Sequence, residues 1–318
     1  MPEWLIERGI GETRFALVED GRITEARIQL DGTTPAGTVL DAKLIDVGRN
    51  GRNAIVRDGH GTDYLLPRGT ALVTQGAALR IEVTRERIPG AEPWKHPLAR
   101  QTDMAELVPA LPAGRNLLFP DAGRDELGDA GWADLLDEAA SGDVAFDGGR
   151  LSISLTPAMT LIDVDVWLAP EQLAVAGAAA AAQAIRRLDI GGSIGIDLPT
   201  VKGKAERRRA AEAIDHFLPP PFERTAMNGF GFIQIVRPRL RPSLVEAMAD
   251  RPAAQARALL RSTAIERTGA TCLVAHPSVI AVLEANAEWI EALSRQVGGT
   301  VTLRSDASLP IHGSYAEN

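Results

Sequence analysis

The sequence predicts a mixed fold, part α+β and part α/β, in which short strands occupy the first third of the chain. Two observations lead to this prediction. Before residue 100, short alternating apolar runs are separated by turn residues, beginning with a hairpin signal at Asp20-Gly21. After residue 150, strand-like runs alternate with helical runs that end at glycine or proline. The chain has 318 residues, 45% of them apolar, which is enough for more than one core.

The first hundred residues predict a hairpin followed by a small barrel. Residues 1–34 contain "RFALVEDGRITEARIQL", which alternates on both sides of Asp20-Gly21. Residues 35–100 contain the short β-like runs "TVLDAKLIDV", "RNAIVRD", "TDYLLP" and "ALRIEVTRER". Short strands with this punctuation are typical of a small closed barrel, and an OB-type β-barrel is the leading candidate.

The rest of the chain predicts three further parts. Residues 101–150 form a short connecting segment that is strongly acidic over 118–147. Residues 151–245 carry an α/β core, with strands at "GGRLSISL", "AMTLIDVDVW", "SIGIDL" and "GFGFIQIVRPR" and helices at "EQLAVAGAAAAAQAIRRLD" and "KAERRRAAEAIDHFL". Residues 246–318 are a small αβ C-terminal part.

Composition excludes several classes of protein. The single cysteine, Cys272, excludes an internal disulfide and a multi-cysteine metal site within one chain. No apolar run is long enough to cross a bilayer, and the first residues lack the apolar core of a secretory signal. We therefore expect a cytoplasmic protein with no membrane partner. The motif "GGSIG" around Ser193 has a helix before it and a strand after it, the reverse of a hydrolase elbow.

Charge is segregated along the chain. The net charge is −8, yet residues 201–210 ("VKGKAERRRA") and 236–242 ("VRPRLRP") are basic. A polyanion could bind these two segments in spite of the negative total. The alternative, which charge alone does not exclude, is that both segments are solvated surfaces.

Aspartates end two apolar strand-like runs. Side chains two residues apart in a strand point the same way, so Asp163 and Asp165 share one face. If "IGID" pairs with that strand, Asp197 joins them. Carboxylates this close repel one another unless a divalent cation binds between them, and Mg²⁺ prefers such oxygen ligands. The alternative is that these aspartates cap turns or helices.

The order and spacing of five segments resemble the ribonuclease E/G family. These are "PAMTLIDVD" (157–165), "IRRLDIGG" (185–192), "SIGID" (193–197), "MNGFGF" (227–232) and "GFIQIVRPRLRPSL" (231–244). The hairpin, the inserted barrel and the C-terminal part also follow the family's order, although the resemblance is dense only over about 155–245. It makes residues 151–245 a catalytic α/β nuclease core and assigns the hairpin of residues 1–34 to the same core.

The resemblance implies a Mg²⁺-dependent endoribonuclease that cleaves single-stranded RNA and leaves a 5′-phosphate. The family's two metal-binding aspartates fall on Asp163 and Asp197, and its nearby asparagine falls on Asp165, which would assist. Phosphate contacts are expected from basic residues, and Tyr64 is the only aromatic near the barrel's RNA side. The expected RNA-binding residues are Tyr64, Arg85, Lys95, Lys202, Lys204, Arg237, Arg239 and Arg241.

The chain departs from the family pattern at several positions. Thr200 replaces an aspartate and Gln234 replaces a glutamate, while Ile55 and Leu65 stand where the family has base-stacking aromatics. We therefore expect weaker RNA binding by the barrel. The stretch directly after "PSL", "VEAMADRPAAQ", has no cysteine where the family has its zinc link, so we expect no zinc-linked dimer, and any homo-oligomer needs another interface. The short middle segment predicts that a 5′-monophosphate sensor is missing or rudimentary.

Two other functions remain open at this point. The chain could be a non-catalytic RNA-binding relative, since the neighbours of the acids are replaced. It could also be a scaffold that presents the acidic segment 118–147 to other proteins.

Overall fold

The computed structural model describes residues 1–70, 73–89, 95–121, 124–166 and 170–317. The chain divides into two compact units. Unit 1 comprises residues 1–31, 113–142 and 247–318, and unit 2 comprises 32–112 and 143–246. None of the helices in the described ranges combines the length and the apolar character that crossing a membrane requires.

The first half of the chain contains mostly strands. In order these are β1 Glu3–Arg8, β2 Glu12–Glu19, β3 Arg22–Leu30, β4 Val39–Asp46, β5 Ala54–Asp58, β6 Asp63–Leu66, β7 Ala78–Arg85, β8 Leu98–Gln101, β9 Arg115–Leu117, α1 Glu126–Asp129, α2 Trp132–Ser141 and β10 Asp143–Phe146.

In the second half, strands and helices alternate. In order these are β11 Gly149–Leu155, β12 Thr160–Val166, α3 Pro170–Arg187, β13 Gly192–Asp197, α4 Lys204–Phe217, β14 Glu223–Arg224, β15 Phe232–Arg237, α5 Leu244–Ala249, α6 Arg251–Glu266, β16 Thr271–Ala275, α7 Pro277–Ala285, α8 Ala287–Val297, β17 Val301–Ser305 and β18 Tyr315–Glu317.

Unit 1 contains the N-terminal hairpin and the C-terminal αβ part. Its first sheet has the order β3-β2-β1-β9, and its second has the order β17-β16-β18. The β2–β3 turn places Asp20 at φ 50° and Gly21 at φ 75°, the left-handed pair that a two-residue hairpin turn requires. The predicted hairpin is therefore present, with β1 added along its edge.

A buried ionic cluster links the hairpin to α6 within unit 1. Glu12 accepts hydrogen bonds from Arg14 (2.7 Å) and from Arg257 (2.6 Å). Glu7 accepts from Arg14 (2.6 Å) and from Arg261 (2.9 Å). Buried charges are tolerated only when paired in this way. These pairs explain why the hairpin groups with the C-terminal part, whereas the sequence led us to assign it to the nuclease core.

Unit 2 contains a closed barrel with the order β4-β5-β6-β8-β7. β4 and β7 pair antiparallel and close it, and β6 and β8 pair parallel. The four predicted runs form β4 to β7, and the sequence did not predict β8. Its core includes Leu44, Val56, Tyr64 and Ile81, which are all fully buried.

Unit 2 also contains a sheet with the order β10-β11-β12-β13-β15-β14, called the aspartate sheet below. Ile162, Ile194 and Ile196 point to one side of it and are fully buried. Helix α3 packs on that side, and a side chain at Gly177 would come within 2.5 Å of Val164, so the alanine-rich helix approaches the strands closely. The alternate residues form a second, open face. Trp167, predicted to end the strand that became β12, lies outside the described residues.

Candidate functional site

Asp163 and Asp197 lie side by side at the end of two adjacent strands. β12 and β13 run parallel, and Asp163 is the register partner of Asp197. Register partners on neighbouring strands point to the same face, and such strands are about 4.8 Å apart. The two carboxylates therefore project together from the open face of the aspartate sheet, as expected if "IGID" pairs with the strand of Asp163.

Both carboxylates are exposed and unpaired. Asp163 and Asp197 lie on the solvent side of the sheet, and neither makes a hydrogen bond or an ion pair with any residue in the described ranges. Two like charges held this close, with no cation between them, repel one another. A pair of this kind gains stability from a bound cation.

Asp165 differs from the other two aspartates. It points to the same face but is the register partner of Arg150 on β11, and the two side chains form an ion pair of 3.6 Å. Arg150 also lies 3.9 Å from Asp143 on β10. Arg150 thus neutralises part of the acidic face, and Asp165 is partnered without a metal ion.

The donor set fits Mg²⁺ bound by two carboxylates. Within the described ranges no group of three histidine, cysteine, aspartate or glutamate side chains is arranged to hold a metal ion. An ion here would therefore have Asp163 and Asp197 as its protein ligands, with water and substrate oxygens in the remaining positions. Mg²⁺ is commonly held in this way, because it keeps several waters and uses one or two carboxylates with substrate phosphates.

Two lysines follow the aspartate pair along the chain, one in the loop after β13 and one at the start of α4. Lys202 and Lys204 are exposed and follow Asp197 by five and seven residues. Arg207 on α4 donates hydrogen bonds to the carbonyl oxygens of Val201 (3.0 Å) and Lys202 (2.9 Å), which fixes this loop. The two lysines remain available as point charges for an anion.

The loop before β15 closes the same end of the sheet. Asp197 is the register partner of Phe232, and the Leu198 N–H donates to the Gly231 carbonyl oxygen at 3.2 Å. Thr200, which stands where the family has an aspartate, donates its hydroxyl to the Phe230 carbonyl oxygen at 3.1 Å. Thr200 therefore has a structural role in this chain. Gln234 lies on the open face two residues after Phe232 along β15, opposite Gly195.

The predicted phosphate-binding arginines of segment 236–242 are instead paired inside unit 2. Arg237 and Arg241 lie 3.6 and 3.1 Å from the Asp189 carboxylate. Arg239 pairs with Glu246. Sequence reasoning missed this because the acids belong to other segments. These three side chains are thus engaged in ion pairs, and their contact with RNA phosphates stays a prediction.

The barrel residues also differ from expectation. Tyr64 is fully buried, and its hydroxyl bonds with Thr34 (2.8 Å) and Asp58 (3.1 Å). Burial raises the pKa of Tyr64 to about 12. Its ring is a core side chain, and the expectation that it contacts RNA is corrected.

Arg85 and Lys95 lie at the ends of the segment between β7 and β8. Arg85 is partly buried and donates to the His96 carbonyl oxygen at 3.3 Å, whereas Lys95 is exposed. Ile55 and Leu65 are register partners and alternate with the core residues of β5 and β6, so they point away from the barrel core. Of the predicted barrel contacts, Lys95 is thus the most accessible to an anion.

Two residues near the aspartate pair were not identified from the sequence. Arg150 is the ion-pair partner of Asp165, and Phe230 is an aromatic residue with 84% of its surface exposed. The sequence placed Phe230 in the strand-like run "GFGFIQIVRPR", whereas β15 begins only at Phe232. The proximity of Phe230 to Asp197, however, depends on the pairing of β13 with β15.

No protein-family model matches the chain, and no curated protein is significantly similar to it. The role of the site is therefore inferred from its geometry and from the motif resemblance.

Proposed function

We propose that the protein is a Mg²⁺-dependent endoribonuclease that cleaves single-stranded RNA, a short form resembling the ribonuclease E/G family. The single observation that carries the proposal is the pairing of Asp163 with Asp197 in the register of parallel strands β12 and β13. The resemblance assigned metal binding to these same two residues. The aspartate sheet with its helices would be the nuclease core.

Each residue at the site has a defined task in this proposal. Asp163 and Asp197 hold the cation, and Lys202 and Lys204 attract the RNA backbone to this end of the sheet. Asp165, partly neutralised by Arg150, accepts hydrogen bonds from water at the site. Bound Mg²⁺ would supply an activated water and neutralise charge on the phosphodiester. The products would carry a 5′-phosphate and a 3′-hydroxyl.

The barrel supports binding of a single strand. Numbered from β4, its strand order is 1-2-3-5-4, with antiparallel closure and a parallel pair between the third and fifth strands. We assign it to the OB type, which commonly binds oligonucleotides. Because Ile55 and Leu65 replace stacking aromatics, the barrel would rely on backbone contacts, to which Lys95 contributes.

A non-catalytic RNA-binding function is the second candidate. The observation that favours it is the Arg150–Asp165 ion pair. This ion pair places a fixed positive charge on the acidic face. It also engages Asp165, the carboxylate on β12 that lies nearest to Asp163.

The two functions are separated by incubating a fluorescent single-stranded RNA with the protein in Mg²⁺ or in EDTA. The test variants are Asp163→Asn and Asp197→Asn, which keep size and remove charge. Asp143→Asn is the matched control, since Asp143 is an exposed aspartate on edge strand β10 of the same sheet. Cleavage by the wild type and the control, but by neither test variant, supports the enzyme. Binding with no cleavage by any form supports the second candidate.

A further inference from the structure

Phe230 is held next to the aspartate pair by backbone pairing. It lies two residues before Phe232, the register partner of Asp197. Its carbonyl oxygen accepts the Thr200 hydroxyl, and the next residue, Gly231, accepts the Leu198 N–H. The loop that carries Phe230 is thus hydrogen-bonded to two of the three residues that follow Asp197.

The loop is held in one conformation by its own hydrogen bonds. The Asn228 side-chain oxygen accepts from the N–H groups of Phe230 (2.9 Å) and Phe232 (3.0 Å). Gly231 has φ +99°, and a Cβ there would lie 2.0 Å from the Leu198 carbonyl oxygen. Only glycine fits this position, so the backbone under Phe230 is fixed before any ligand binds.

The Phe230 ring is nevertheless exposed to solvent. It is 84% exposed in a chain with only 4% aromatic residues. Its carbonyl and N–H are both used to hold the loop, so the loop presents the ring outward. A rigid, exposed aromatic ring beside a cationic loop is the arrangement on which single-stranded nucleic acids stack their bases.

We propose that Phe230 is a stacking platform for one nucleobase of the RNA whose backbone lies at Asp163 and Asp197. This inference rests on the proposed function and deepens it, because it assigns base contact to the catalytic end of the aspartate sheet. Stacking is tolerant of base identity, since every base has a π-face. Phe230 would therefore position single-stranded RNA without selecting a sequence, and would exclude duplex RNA, whose bases are already stacked.

The test is binding of a fluorescein-labelled single-stranded RNA, followed by anisotropy with Ca²⁺ in place of Mg²⁺, so that the carboxylate pair is neutralised without the cation proposed to support cleavage. Removing a stacking partner by Phe230→Ala should weaken the affinity about 5- to 100-fold. Phe230→Trp should retain it, and the added indole emission should be quenched by RNA. Phe230→Leu, which keeps apolar surface without a π-face, should behave like the alanine variant. Val236→Ala is the control, since Val236 is 52% exposed at the opposite end of β15.

Three outcomes overturn the inference in distinguishable ways. Equal affinity of wild type and Phe230→Ala removes Phe230 from the RNA site and leaves the proposed nuclease intact. Full affinity of Phe230→Leu replaces stacking by a general apolar contact. Failure of the wild type to bind any single-stranded RNA removes both this inference and the proposed function.

Discussion

Arg241 donates a hydrogen bond to Asp189 across 52 residues of sequence, with a distance of 3.1 Å between Nη1 and Oδ2. Its Nε also lies 4.0 Å from Glu86, just after barrel strand β7. The Glu86 N–H donates to the Leu240 carbonyl oxygen at 2.8 Å. Arg241 therefore joins the end of the barrel to the segments that follow α3 and β15. Arg241, which the sequence predicted to contact RNA, thus connects the barrel to the rest of unit 2.

Replacing Arg241 with methionine should destabilise the protein more than it weakens RNA binding. The change leaves the carboxylates of Glu86 and Asp189, which are 7% and 14% exposed, without this partner. We expect a loss of about 2–3 kcal/mol in the free energy of unfolding, below the full cost of breaking a buried pair because Arg241 is partly exposed. Urea denaturation followed by circular dichroism measures it.

Arg208→Met is the matched control for Arg241→Met. Arg208 forms an exposed i,i+4 pair with Glu212 at 3.3 Å, which contributes about 0.5 kcal/mol or less. If Arg241→Met kept its stability but lost much of its RNA affinity, Arg241 would be an RNA contact and not mainly a structural residue.

Tyr64 should be needed for stability and not for RNA affinity. Tyr64→Phe removes a hydroxyl bonded to Thr34 and Asp58, and we expect a loss of about 1 kcal/mol in stability. Tyr64→Ala leaves a cavity in the barrel core and should cost about 3–5 kcal/mol. RNA affinity of Tyr64→Phe, measured by anisotropy, should equal that of the wild type. A clear loss of affinity with unchanged stability would show that the phenol contacts RNA.

The ionic cluster of unit 1 should make stability fall in acid. Burial opposes the charge of Glu12, but Arg14 and Arg257 more than offset this, so the pKa of Glu12 is held below its ordinary value. A depressed folded-state pKa contributes stability that is present above the unfolded-state pKa and is lost as pH falls through the folded-state pKa. The loss should therefore begin below about pH 4.3.

Glu12→Gln provides the comparison for the acid titration. The variant should be less stable than the wild type at pH 7, and the difference should shrink as the pH is lowered below the ordinary range of a glutamate. Urea unfolding at a series of pH values from 7 to 3 measures both curves. A difference that stays constant with pH would mean that folding does not lower the pKa of Glu12.

The state of the RNA 5′ end should have little effect on cleavage. The segment between the barrel and β11 is short, and β9, α1, α2 and β10 account for much of it. We expect a 5′-monophosphate and a 5′-triphosphate form of one RNA to be cut at rates within about twofold, a small difference on the energy scale of a charged contact. A strong preference for the monophosphate would reveal a 5′ pocket that the sequence did not indicate.

The sequence predicted local structure better than side-chain partners. Asp20-Gly21 specifies its hairpin locally, and period-2 alternation placed Asp163 and Asp165 on one face. The sheet position of Asp197 depended on a non-local pairing that only the motif order indicated. The ion pairs of arginines 237, 239 and 241 with Asp189, Glu246 and Glu86 were not predicted, because each depends on how side chains from separate elements meet in the fold.

Tyr64 shows a signal that the sequence did contain. In β6 the buried residues are Tyr64 and Leu66, and Asp63 and Leu65 alternate with them. The period of two therefore places Tyr64 on the same side as Leu66, inside the barrel. Strands β1 and β8 were missed for a different reason, since their short runs carry charged residues and form by pairing with longer neighbours.

The most direct test of the central claim is the binding of Mn²⁺, as a substitute for Mg²⁺, measured by electron paramagnetic resonance. If Asp163 and Asp197 share one divalent ion, the wild type and Asp143→Asn should bind one Mn²⁺ with the same affinity. Asp163→Asn and Asp197→Asn should each lose more than about tenfold in affinity, since loss of even an outer partner of a metal site costs that much. Equal Mn²⁺ binding by all four proteins, or none by the wild type, would contradict the account.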